Sequence, residues 1–151
     1  MNLLFVCTGN TCRSSMAEAL ARKILSENPE GADKLTVSSA GVAAWPGAPA
    51  TKEAVAALAG LGVDLSAHRA TRLTPEIISK SDLILTMTRA HREHVRSIQP
   101  QAAGKVFTIA EYAGFEEDVP DPIGSSVEVY RLCAKKLESL IFCVLERFWK
   151  Q

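Results

Sequence analysis

Apolar positions along this chain follow two rhythms that alternate. Leu3-Leu4-Phe5-Val6 is a short unbroken β-prone run and reads as a buried strand. Behind it Met16, Leu20, Ile24 and Leu25 recur at helical spacing, with Ser14 or Ser15 the expected cap and an end expected near Asn28-Pro29. Leu35 to Ser38 reads as a second strand, Gly41 to Pro49 as a Gly/Pro-rich loop carrying Trp45, and Thr51 to Leu61 as an alanine-rich helix that Gly60 and Gly62 stop. After the polar stretch His68 to Arg72, Thr74-Pro75-Glu76 predicts an N-cap with proline at the first helical position. Asp82 to Met87 is the third expected strand, Arg89 to Ile98 a helix, Lys105 to Phe107 a short strand, and Ile109 to Tyr112 a helical turn. Asp118 to Gly124 reads as a loop. Ser125 or Ser126 then caps a long helix whose apolar positions are Val129, Leu132, Leu137, Leu140, Ile141 and Leu145.

Strands that alternate with helices predict an α/β fold: one three-layer domain, with a four-stranded parallel twisted sheet covered by helices on both faces. The 151 residues, 47% of them hydrophobic, suit one domain with a sizeable core. Seventeen Lys and Arg balance seventeen Asp and Glu, with no basic run, so neither nucleic acid nor an anionic membrane is an expected partner. No apolar window approaches the roughly 18 residues of a membrane span, and no charged segment plus apolar stretch opens the chain. Cysteines at 7, 12, 133 and 143 lack the spacing of a disulfide framework, so a cytoplasmic protein is expected, with Cys133 and Cys143 as packing residues of the last helix.

The chemistry concentrates in Cys7-Thr8-Gly9-Asn10-Thr11-Cys12-Arg13-Ser14, between the first strand and the first helix. A strand-loop-helix turn points backbone N–H groups at one spot beside a helix N-terminus, where the peptide dipoles favour negative charge. A thiol placed there should ionise more readily than a free one, which makes Cys7 a candidate nucleophile. Arg13, six positions on, can bring its planar fork over the same anion, a bidentate contact that lysine cannot make. Gly9 permits positive φ and close backbone approach, and Asn10 tolerates left-handed geometry. A zinc reading of Cys-x4-Cys leaves Arg13 unexplained and finds no second ligand pair, so no metal and no cofactor is expected. Asp121, which Pro122 biases toward an extended backbone, is the candidate general acid and then base, with Asp118 three residues earlier as its substitute.

Together with Ser39-Ala40-Gly41, Trp45, the Gly62 to His68 segment, the strand Asp82 to Met87 and Asp121-Pro122 before the last helix, this loop resembles the low-molecular-weight protein tyrosine phosphatase family over nearly the whole length. The resemblance implies a single such domain over residues 1–151 and a metal-independent phosphatase that passes through a phosphocysteine. It implies phosphate held by residues 8 to 13 (Thr8, Gly9, Asn10, Thr11, Cys12 and Arg13), Ser14 donating to the Cys7 thiolate, and Asn10 and His68 bracing the loop. It places Trp45 at the cleft rim; an ordinary loop anchor is the alternative. It also makes Cys12 a partner that would trap an oxidised Cys7 as a disulfide, against simple packing behind the loop.

The chain departs from the tyrosine-specific pattern in two places. Thr11 stands where an aliphatic residue is common, and Ile123-Gly124 follows Asp121-Pro122 without the usual aromatic face. Both departures resemble the bacterial protein-arginine phosphatase branch. The expected activity is therefore hydrolysis of phosphoarginine in proteins by a monomer, with Thr11, Trp45 and Ile123 setting specificity and phosphotyrosine hydrolysis as the alternative. Arsenate reduction needs relay cysteines, yet none lies between 12 and 133; a non-catalytic phosphate-binding module is the remaining option.

Overall fold

A computed structural model describes residues 1–28, 30 and 32–150. Four parallel strands, β1 (Asn2–Cys7), β2 (Thr36–Gly41), β3 (Leu83–Thr86) and β4 (Val106–Thr108), form one sheet in the order β2-β1-β3-β4. The helices are α1 (Arg13–Glu27), α2 (Lys52–Ala59), α3 (Pro75–Lys80), α4 (Arg89–Ile98), α5 (Ile109–Ala113) and α6 (Val127–Trp149). The predicted strands and helices are all present, and two 3-10 turns, Ala32–Lys34 and Pro100–Lys105, add to them. The expected end of α1 at Asn28-Pro29 is met at Asn28, its C-cap; Pro29 lies outside the described residues.

Pleating divides the core. Leu3, Phe5 and Cys7 point to one face with Met16, Leu20, Leu58, Tyr130, Leu137 and Ile141, while Leu4 and Val6 point to the other with Ile78, Ile84, Val95 and Val106. This parity decides where the thiol goes: Cys7 faces the α1 and α6 layer. The chain leaves β1 toward β2 and later returns past β1 to β3, so β1 and β3 border the switch point at which doubly wound sheets place their ligands.

Two expectations about the elements change. β2 runs on through Gly41, which had been assigned to the following loop. On α6 the buried stripe is Tyr130, Ala134, Leu137, Ile141 and Val144, spaced by alternating four and three residues, so Val129 and Leu132 fall off it and are exposed.

Candidate functional site

The loop that leaves β1 closes around its own sulfur. Cys7 Sγ lies 3.3 Å from the Asn10 N–H and 2.9 Å from Ser14 Oγ. The helix that follows starts one residue before the expected caps: Cys12 is the N-cap of α1 and makes no side-chain cap bond. Ser14 turns to Cys7 and Ser15 Oγ donates back to Cys12 O at 2.9 Å. With no side chain capping them, the first N–H groups of α1 remain available to an anion, which explains why an ordinary cap is absent here.

Asn10 governs the loop's shape. It is fully buried and carries the one positive φ of a non-glycine residue among those described, 57°. Its Oδ1 accepts from Thr71 N at 2.8 Å, which fixes the amide so that Nδ2 donates to Ser14 Oγ at 2.8 Å and to Ser39 Oγ at 2.9 Å. Ser39 Oγ in turn donates to Glu18 Oε1 at 2.7 Å. One hydrogen per hydroxyl then sets the direction of the chain. Ser39 spends its hydrogen on Glu18, Ser14 accepts from Asn10, and the Ser14 hydrogen is left for Cys7. The sulfur thus receives two donors, as an anionic sulfur requires.

Neighbouring elements hold the backbone. His68 Nε2 donates to Asn10 O at 2.7 Å, as expected of a bracing histidine, and Thr51, the N-cap of α2, gives its N–H to Thr11 O at 3.0 Å. Val42 N and Ala43 N donate to Cys7 O and Thr8 O. Gly41 allows this contact: a Cβ there would stand 2.5 Å from Thr8 O and 2.9 Å from Asn10 N. Gly9 does not take the positive φ expected of it, and a Cβ there would meet Thr11 Oγ1 at 3.4 Å, an ordinary contact, so the left-handed turn of the loop falls to Asn10 instead.

Arg13 is buried, at 4% exposure, and Nη1 donates to Val119 O at 3.0 Å while Nη2 lies 3.5 Å from Asp121 Oδ2. Its Nε has no partner among the described residues. A buried guanidinium N–H without an acceptor costs free energy unless an anion meets it, so this edge of Arg13 is a ready oxyanion contact. Val119, itself bonded to Met87 O at 2.9 Å, pins the 118–124 loop to the end of β3.

The two candidate acids separate. Asp121 stands over the cradle, its Oδ1 accepting from Ile123 N at 3.0 Å and lying 4.0 Å from Cys12 Sγ, with 43% of its side chain exposed. Asp118 turns away: Oδ1 accepts from Arg89 N at 3.0 Å, at the start of α4, and sits 3.5 Å from Arg89 Nε. It supports the loop's attachment to α4. Trp45, 81% exposed, is not even the partly buried loop anchor of the alternative reading, and Ile123 is 62% exposed beyond Asp121. Cys12 is buried, and burial first, then the charge of Cys7, pushes its thiol up to about 12. Cys133 packs partly buried against the same core, its thiol pushed up to about 11 mainly by burial.

Four participants were not anticipated: Glu18, Thr71, Val119 and His91, the last of which bonds Thr8 Oγ1 through Nε2 at 2.8 Å. Only His91 left a sequence trace, as a histidine three residues after a capping threonine where β3 ends at the switch point.

Thiol, amide ring, buried arginine and an opposed carboxylate on a four-stranded parallel sheet define a phosphate-handling α/β protein of the cysteine type. The chain belongs to the low molecular weight phosphotyrosine protein phosphatase family, whose model matches residues 2–151. It is 43% identical over 142 residues to a protein-arginine-phosphatase of Bacillus subtilis strain 168, covering 93% of this chain and 92% of the relative. It is 42% identical over 120 residues to a probable low molecular weight protein-tyrosine-phosphatase, EpsP, of Ralstonia nicotianae, covering 80% and 77%. Among solved structures it matches a cysteine-to-serine mutant of YwlE arginine phosphatase with a phosphorylated active-site serine, at TM-score 0.93 and 39% identity, covering 100% of this chain and 97% of that one.

Proposed function

We propose that this protein hydrolyses phosphoarginine in proteins, with Cys7 as nucleophile, Arg13 and the amides of residues 8 to 13 as the phosphoryl cradle, and Asp121 as acid and base. The observation that carries the chemistry is the directed donor chain that ends on Cys7 beside an unpaired Arg13 Nε. The Cys7 thiolate attacks phosphorus, the S–P bond forms as the P–N bond breaks, and Asp121 gives its proton to the departing guanidine nitrogen. Charge on the equatorial oxygens is met by the amides and Arg13. Water then attacks phosphorus and loses a proton to Asp121, the S–P bond breaks, and Cys7 leaves as thiolate with inorganic phosphate released. The exposed side of Asp121 gives that water access.

Arginine over tyrosine is supported by the polar Thr11 in the cradle, by Ile123 and Gly124 with no aromatic face beside Asp121, and by the arginine phosphatases among the relatives. Asp121 is also the group placed to accept the extra N–H donors of a guanidine. The second reading, phosphotyrosine, draws on the exposed Trp45 and the tyrosine phosphatases among the relatives. The reading also takes the enzyme as a cytoplasmic monomer that acts on phosphorylated proteins. One assay decides the substrate: phosphoarginine protein and phosphotyrosine peptide are turned over side by side. Faster release from arginine is expected, with Thr11→Ile moving the ratio toward tyrosine; faster tyrosine turnover by the parent overturns the assignment. Cys7→Ala, which leaves no nucleophile at that position, should abolish both, and retained turnover would exclude the covalent route through Cys7.

A further inference from the structure

His91 is 7% exposed, lies at the switch point, and has no part in the chemistry described so far. It is the third residue of α4, and three contacts determine its ring. Its own backbone N–H donates to Thr88 Oγ1 at 3.1 Å, the N-cap bond. Ring Nδ1 lies 3.0 Å from the same Thr88 Oγ1, and Nε2 lies 2.8 Å from Thr8 Oγ1. Thr88 has one hydroxyl hydrogen, and Nδ1 is the acceptor it meets among the described residues. That hydrogen goes to Nδ1, so the proton of a neutral ring sits on Nε2 and is donated to Thr8.

We propose that His91 is a positioning residue for the phosphatase reaction: as its Nε2–H tautomer it holds the Thr8 hydroxyl and thereby sets the first turn of the phosphate cradle from the α4 side. The inference rests on the phosphatase reading above. It answers an asymmetry in the loop. Asn10, His68 and Thr51 fix the later residues through side-chain and backbone bonds, whereas among the described residues Thr8 has only its carbonyl bond to Ala43 N and this side-chain bond to His91. Thr8 adjoins the nucleophile, so a rotation there re-aims the amides at the mouth of the cradle. The same helix start receives Asp118 through Arg89 N, so one element carries tethers to both the cradle and the acid loop. Burial first and then Arg13 push the ring's protonation down to about 4, with His94 acting in the same sense and Asp118 and Asp121 opposing, which keeps Nδ1 free to accept.

The test combines spectroscopy on the parent protein with a mutant cycle. Long-range nitrogen–proton spectra of the ring should show the Nε2–H tautomer, unchanged from about pH 8 to about pH 5.5; the Nδ1–H tautomer overturns the proposal without reference to any assay. With a small aryl phosphate as substrate, His91→Ala and Thr8→Val should each lower kcat by about three- to tenfold with KM changed by less than about twofold, the size of one hydrogen bond. The double variant should be no worse than the poorer single one, and His91→Gln, which keeps an N–H for Thr8, should recover most of the rate. Additive losses, or an unchanged kcat in His91→Ala, overturn the proposal. Absence of turnover in the parent defeats the phosphatase reading itself, and the positioning role falls with it.

Discussion

The two walls of the cleft are built to different standards. On the phosphoryl side Asn10, Ser14, Ser39 and Arg13 are buried, and all their side-chain polar atoms except Arg13 Nε are bonded within the protein. On the leaving-group side the 118–124 loop is anchored at Val119 and Asp118, and beyond them Asp121 is 43% and Ile123 62% exposed. The difference follows from the tasks. A phosphoryl group presents the same oxygens whatever it is attached to, so its cradle gains from being over-determined. The leaving group varies between substrates, and a lightly tethered carboxylate can follow it. Substrate preference should therefore respond to changes at residues 122–124, beside the acid, more readily than chemistry does.

The largest effect should separate the two acids. Asp121→Asn removes the proton donor and should lower kcat by roughly 10²–10⁴-fold. Asp118→Asn loses only the charge on a cap-like contact to Arg89 and should lower it by less than about threefold. Equal losses would show that the acid loop moves in solution and that both carboxylates serve the reaction.

Next in size is Gly41→Ala, which breaks the over-determined wall from behind. The new Cβ meets backbone atoms, Thr8 O at 2.5 Å and Asn10 N at 2.9 Å, which cannot swing aside as a flexible side chain would. A loss of about 3 kcal/mol in urea unfolding is expected, together with weaker inhibition by inorganic phosphate. A stable variant with full phosphate affinity would mean that β2 and the loop separate easily.

A pH series probes the same wall through His91, whose protonation is pushed from 6.5 to about 4 in the folded protein. The unfolded chain binds the proton first, so the fold loses stability as pH falls from about 6.5 to about 4 and regains it on raising the pH. The change should be on the order of 2 to 3 kcal/mol across that window. In His91→Gln the slope within the window should vanish, while the acid unfolding caused by carboxylates such as Glu111, whose protonation is held below its usual range chiefly by the Thr108 and Arg92 hydrogen bonds that outweigh its burial, remains below it. A persistent slope would assign the effect to other groups.

Smaller still is Ser39→Ala, which cuts the donor chain two bonds away from sulfur. Asn10 keeps Thr71 and Ser14 but loses its link to Glu18, so a kcat reduction of about tenfold is expected with little change in KM.

How much of this was legible beforehand depended on distance along the chain. The Cys7 to Ser14 loop announces itself because its strand, turn and helix are contiguous, and the expected α4 bounds Arg89 and Ile98 match the structure, where Thr88 is the N-cap. Ser14 was read both as a cap and, through the family resemblance, as a donor to Cys7; what was hidden is that the cap falls to Cys12, which makes no side-chain cap bond. Thr71, Glu18 and Val119 reach the site through bonds to Asn10, Ser39 and Arg13 that span 61, 21 and 106 residues. No periodicity encodes such pairings; only the sheet order brings them together. Asp121 was preferred to Asp118 from its proline neighbour and the family pattern, but which carboxylate turns inward depends on Val119 meeting Met87 O, a contact no local pattern shows.

The mildest substitution, Cys12→Ser, asks whether the second thiol belongs to the cradle's chemistry. The loop uses residue 12 through its backbone, as N-cap of α1 and as acceptor of Ser15, and a serine keeps both. Turnover should stay within about threefold of the parent. Because burial and the neighbouring Cys7 push the Cys12 thiol up to about 12, very little of it is thiolate at neutrality. Iodoacetamide followed by peptide mass analysis should therefore label Cys7 long before Cys12. After peroxide treatment, capture of a Cys7 sulfenic acid by Cys12, with loss of water and formation of the disulfide, should be slow at neutral pH and faster as pH rises. Recovery of activity with a dithiol would then depend on Cys12 only after long incubation. Rapid disulfide formation at neutrality would show that the cradle opens enough to solvate Cys12, and that this wall is less rigid than its hydrogen bonds imply.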